Sequence, residues 1–332
     1  MDRTDATTFG LYAEVTVPGS GRNWQHTLTK TRSMTVDEYE SVGSARKMLA
    51  QAGNHSEYSN VRDYRDDLMK SVTEQISALI ADRNVAQRLF PQTSRRFADY
   101  LGAFKGFGER TSTWLSHAYG RDSEPMTRFR AAAAREFDSN AAYRVMHGLR
   151  NISAHGAQVI NHPHISAQLL PDGGSYEELL LGVDGPALVT EYKSRLRAAT
   201  AAEMRAAPQD FDVIKLVELT LQSCARIHAN VFDSVKPDFL SALNLLEGLW
   251  NDAADAATTE VWAMVDYRRV GNPSFDGMLR VRDFMFDSAA ALPSQWQRIL
   301  DAGVPEVTLD QVCEKSELRV YKNADGSFRP SG

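Results

Sequence analysis

Residues 60–82, NVRDYRDDLMKSVTEQISALIAD, place Tyr64, Leu68, Val72, Ile76 and Leu79 at spacings of three and four. Side chains so spaced share one face of an α-helix. Charged and polar residues fill the remaining positions, so the segment reads as an amphipathic helix with one packed face. The pattern continues downstream. A second helix is expected over about Thr93–Tyr119, interrupted in propensity by Gly102, Gly106 and Gly108. Glu124-Pro125 opens a third, alanine-rich helix running toward His155, with Gly156 suited to its C-terminus. Upstream, Thr35-Val36-Asp37-Glu38 is a capping box that starts a helix ending near Ala52, before Gly53-Asn54-His55-Ser56.

Strand signals lie on either side of this helical run. Phe9, Leu11, Ala13, Val15 and Val17 alternate at period two ahead of Pro18-Gly19-Ser20-Gly21. After Gly156, Ala157–Leu170 and Glu177–Val183 are β-prone and separated by Pro171-Asp172-Gly173-Gly174, a hairpin signal. Helices are then expected over about Pro186–Ala206, Phe211–Phe232 and Pro237–Ala256. Beyond them, Glu260–Tyr267 and Leu318–Tyr321 read as strands, Ser294–Ala302 as helix, and Lys322–Gly332 as a frayed tail. The expected fold is mainly α: a helical bundle with a β-hairpin insertion and a small mixed α/β C-terminal region. The expected organisation is an N-terminal strand and loop (1–33), a helical domain (34–256) with its insertion at about 157–184, and an α/β appendage (257–332).

The chain has 332 residues, 43% hydrophobic and 24% charged, which is ordinary globular composition. Its two cysteines, Cys224 and Cys313, fit no zinc or redox spacing, as expected in a reducing compartment. There is no apolar run of the roughly eighteen residues a membrane span needs. The N-terminus carries no secretory pattern, so a cytoplasmic location without a membrane partner is expected. Net charge is −6, yet residues 83–150 hold twelve Lys and Arg against six Asp and Glu. A basic segment of this kind suits phosphate, and equally a solvated helix surface.

One short motif carries chemistry: Leu149-Arg150-Asn151-Ile152-Ser153-Ala154-His155. An Arg, a polar residue directly after it and a His a few positions on, late in a helix of a bundle, resembles the ribonuclease signature of the HEPN superfamily. The resemblance covers the helical region from about Asn60 to Phe232, apart from the hairpin. It implies a HEPN-like bundle and metal-independent endoribonuclease activity, with the ribose 2′-hydroxyl attacking the adjacent phosphate. His155 would then move a proton, Arg150 would hold the phosphate, and Asn151 would orient one or the other. At about 100° per residue, His147, Asn151 and His155 form one stripe flanked by Arg150. His147 and Arg144 are accordingly expected as supporting residues. The resemblance further implies a homodimer with two motifs in one cleft, RNA as substrate, a toxin or antiviral-defence role, and an antitoxin or regulatory protein as partner. No cofactor and no metal are implied.

Other readings stand beside this one. Arg and His at a helix end also cap carbonyls and favour the helix dipole. A bundle of this kind could equally serve as a non-catalytic interaction, dimerisation or RNA-binding module. His162-Pro163-His164 sets two imidazoles on one side of a strand, where a metal could be imagined, but Pro163 disturbs the strand and no carboxylate lies close by in sequence, so surface histidines are expected. Trp114, Tyr119 and Phe129 interleave with Arg110, Arg121 and Arg128, as on a base-stacking surface, although aromatics at helical spacing also build cores. No Walker-type phosphate loop, nucleophile elbow or dinucleotide fingerprint occurs.

Overall fold

Where apolar residues recur at helical spacing, helices form. The computed structural model describes residues 9–18, 24–52, 56–254, 258–265, 278–281, 292–316, 318–323 and 328–329. The chain is mainly α, with two small antiparallel sheets. It divides into two compact units, each discontinuous in sequence: residues 1–56 with 232–298, and residues 57–231 with 299–332.

In the first unit, β1 (Phe9–Pro18) pairs antiparallel with β2 (Trp24–Met34) and, on its other edge, with β6 (Glu260–Val265). β6 in turn pairs with β7 (Met278–Arg280). Leu11 and Ala13 are buried as the alternation predicts, and Tyr12 between them is buried too; the β1–β2 register shifts between Leu11 and Tyr12, where β2 carries the extra residue Thr31. Residues expected as loop form β2. Its run of His26 to Thr29 is exposed, so no apolar stripe marked it, and threonine propensity was the only signal. α1 (Val36–Ala52) starts on the capping box: Glu38 N–H donates to Thr35 Oγ1 (3.1 Å) and Thr35 N–H to Glu38 Oε2 (2.8 Å).

The second unit begins with α2 (Glu57–Ala81), the short α3 (Arg83–Arg88) and α4 (Phe90–Tyr119). Val61, Leu68, Val72 and Leu79 of α2 are buried, as are Phe97, Tyr100, Leu101, Phe104 and Phe107 of α4. Tyr64, expected on the packed face, is 42% exposed. Buried polar groups are paired: Thr93 Oγ1 donates to Gln75 Oε1 (2.9 Å), and Gln75 Nε2 to Ala86 O (3.0 Å).

The helix expected from Glu124 to His155 is two helices, α5 (Glu124–Ser139) and α6 (Ala141–Ser153), broken at Asn140. Asn140 is extended and caps α6 by accepting from Tyr143 N–H (3.2 Å). Across the break, Ala141 N–H donates to Val307 O (2.9 Å) and Val307 N–H to Ser139 O (3.0 Å). A distant strand-like contact thus replaces helical hydrogen bonds. A buried network secures the same point. Arg226 donates to both carboxylate oxygens of Glu136 (2.7 and 2.8 Å), and Asn140 Nδ2 donates to Ser223 Oγ (2.8 Å).

The hairpin is present as β3 (His162–Leu169) and β4 (Ser175–Val183), turning through Gly173 at φ 82°. β4 also pairs with β5 (Phe211–Asp212) and with β8 (Arg319–Lys322) from the C-terminal region. β9 (Phe328–Arg329) pairs with β8, so part of the expected frayed tail is strand. The helix expected over Pro186–Ala206 is split into α7 (Gly185–Tyr192) and α8 (Ala198–Ala206). Between them lie a 3₁₀ turn and an extended Leu196. Conversely, the two helices expected on either side of residues 233–236 are one: α9 (Val213–Ala253) runs through Pro237. α10 (Leu292–Asp301) and α11 (Leu309–Cys313) complete the described helices. The remainder of the expected strand at 260–267, the stop signal at 53–55 and most of the tail lie outside the described residues.

Candidate functional site

α6 has two working faces. Gly148 lies on the packed one: a Cβ there would sit 3.0–3.3 Å from Thr200, Leu196 and Met204, so the small residue admits α8 and its preceding turn closely. Val145, Met146, Leu149 and Ile152 are fully buried with it. The other face carries Tyr143, His147 and Arg150 at i, i+4 and i+7. These three line a groove of about 610 Å³, together with Phe104, Lys105 and Gly108 of α4 and Phe129 and Phe137 of α5.

The groove is aromatic-walled, and its charged lining is Arg150 together with Lys105 and Glu109, which pair at 4.0 Å. The ring of His147 meets Tyr143, Phe104 and Phe137 edge-on, with centroids 4.8, 4.9 and 5.9 Å away. Burial, reinforced by the charges of Arg150 and Arg197, pushes His147 down to about 4, so it is neutral near pH 7. Burial also raises the Tyr143 phenol well above its ordinary value. Arg197 lies over the Phe137 ring, 5.7 Å from its centroid. The Arg150 carbonyl accepts from Ala154 N–H (3.0 Å), while its guanidinium makes no hydrogen bond or ion pair with any described residue. Ser112 and Thr113 line this groove and also a neighbouring depression of about 350 Å³ that holds His117, Arg121 and Arg130. The neighbouring depression adds Arg121, in the turn after α4, and Arg130 of α5.

The expected site residues therefore part company. Arg150 and His147 share the groove, whereas Asn151 is half-buried outside its lining. α6 ends at Ser153, Ala154 closes it, and His155 lies beyond the last helical residue with its side chain exposed. Gly156, at φ 82°, then turns the chain away. Arg144 is engaged structurally: it donates to Glu203 at 2.6–3.1 Å and to the carbonyls of Phe137 and Asp138, both at 2.8 Å. Sequence reasoning missed Lys105, Phe104, Phe137, Tyr143 and Arg197, which reach α6 only through the packing of other elements. Nor do the interleaved aromatics form a stacking surface. Phe129 is buried, Trp114 stacks edge-on with Tyr119, and Arg110 and Arg128 pair with Glu57 and Glu124.

No helix among the described residues is long and apolar enough to cross a membrane. Comparison of the chain with protein-family models, with curated proteins and with solved structures yields no match.

Proposed function

We propose that this groove binds the phosphodiester backbone of RNA and that the protein is a HEPN-like, metal-independent endoribonuclease. The observation that carries the reading is Arg150: a guanidinium with no ion pair among the described residues, lining a groove beside a neutral imidazole. Arg150 would hold the phosphate and offset charge developing on its oxygens. The aromatic walls suit an unstacked base, and the cations toward Arg121 and Arg130 suit the following phosphates. A bound phosphate would offset the charges of Arg150 and Arg197, the lesser causes of the lowered His147 pKa, while burial, the largest, keeps that imidazole a neutral hydrogen-bonding partner. His155, exposed at the helix end, would serve a cleft shared with a second copy, the homodimer that the motif resemblance implies. A toxin or defence role, with an antitoxin or regulatory partner, follows from the same resemblance.

The test is cleavage of a mixed RNA pool in EDTA by the wild type and by the Arg150→Ala and His155→Ala variants, with melting curves beside. Loss of a proton-transfer group costs about 10²–10⁴-fold in rate, and removal of Arg150 a comparable amount. Products should end in a 2′,3′-cyclic phosphate or its opened form, and 2′-O-methyl RNA should resist. Full activity in either folded variant overturns the assignment.

A second reading, RNA binding without cleavage, is favoured by the position of His155 outside the groove. In that case RNA binds in a salt-sensitive manner, Arg150→Ala weakens binding, and no product appears.

A further inference from the structure

A second hollow, of about 310 Å³, lies on the hairpin sheet and is lined by His162, His164, Leu180, Asp210 and Phe211 among others. His162 and His164 sit two residues apart on β3, so both point to the same face. Their register partners on β4 are Gly182 and Leu180. Pro163 does not break the strand, because β3 is the edge of its sheet, where a missing N–H is tolerated. The two ring centroids are 5.1 Å apart. Two imidazoles bound at about 2.1 Å to one tetrahedral ion place their centroids about 5 Å apart.

The surroundings match a cation. His162 Nδ1 donates to Asp210 Oδ2 at 2.5 Å, which fixes the ring and leaves Nε2 as the nitrogen with a lone pair. That is the carboxylate–histidine arrangement that orients a metal-binding imidazole. Gly182 makes room for it: a Cβ there would lie 3.0 Å from Asp210 Oδ2. Asp210 and Lys315 line the hollow, as does Asp212, whose buried carboxylate accepts from Lys215 N–H and from Ser316. Among the described residues no group of three or more His, Cys, Asp or Glu is arranged around one point to hold an ion. Any ion here is therefore held by two protein ligands, with water in its remaining positions.

We infer that His162 and His164 form a half-open site for a first-row divalent cation such as Zn²⁺, oriented by Asp210 and separate from the α6 groove. Imidazole pairs favour zinc, copper, nickel and cobalt over magnesium and calcium. Exposed water positions make the ion exchangeable.

Calorimetric titration of the full chain with Zn²⁺ tests it. One saturable equivalent is expected, absent in the His162→Ala/His164→Ala double variant and weakened about 10–100-fold in Asp210→Asn. Mg²⁺ should give no heat of binding. A second measurement needs no variant: Co²⁺ should broaden the NMR signals of the Leu180 and Leu181 methyls and the Phe211 ring. Broadening elsewhere, no saturable binding, or binding that survives the double substitution overturns the inference. RNA cleavage by the Arg150→Ala variant bears on the other groove alone, so the two readings fail separately.

Discussion

His147 carries a testable consequence by itself. Its imidazole is held near 4 by burial and by Arg150 and Arg197, whereas in an unfolded chain it protonates near its ordinary value of about 6.5. Between those values the unfolded chain takes up a proton that the folded one refuses. Stability should therefore fall as pH drops from about 6.5 toward about 4, by on the order of 3 kcal/mol, and level off below. His147→Phe keeps an aromatic ring against Phe104, Phe137 and Tyr143 and removes the titration. Urea melts of wild type and variant across that window should diverge, with the variant flatter. Parallel pH dependence would remove His147 as the source. The sequence made Arg150, Asn151 and His155 conspicuous because they form a string. It made His147 secondary because a neutral buried imidazole is a property of neighbours contributed by α4 and α5.

At the level of elements, legibility followed periodicity. α2 and α4 were readable because their apolar spacing is helical, and α1 because its capping box is local in sequence. The break at Asn140 was not readable, since alanine-rich flanks favour a continuous helix and the interruption is imposed by Val307. Pro237 misled in the opposite direction: a residue that usually ends helices is carried inside α9. β2 escaped because an exposed strand needs no apolar stripe. The buried Glu136–Arg226 pair is the device that fixes α5 to α9 beside the break. Arg226→Ala would leave Glu136 buried and unmatched, at a cost of about 3–5 kcal/mol. The double variant Glu136→Leu/Arg226→Met should recover most of that loss, because burying two apolar groups carries no such penalty. Chemical denaturation of all three variants checks the pattern. Equal destabilisation of single and double variants would show that the pair has no special electrostatic cost.

For the whole molecule, the expected C-terminal appendage is not a separable piece. β6 completes the sheet begun by β1, and β8 extends the hairpin sheet through β4. Removal of residues 257–332 should therefore abolish cooperative thermal unfolding instead of leaving an intact helical domain. Circular dichroism melts give the answer, and a truncated chain that melts cooperatively at the wild-type temperature would contradict it. The β1–β6 pairing also sets a schedule for a chain emerging from a ribosome. Phe9 and its partner Val265 are separated by most of the polypeptide. At about 5–20 residues per second, the β1–β2 hairpin waits roughly 12–50 s for its third strand. Two strands alone are marginal in water, so during that interval the open edge of β1 is exposed to neighbouring nascent chains. The sheet that is made first is thus among the last to close, and its safe passage depends on how quickly the following two hundred-odd residues are delivered.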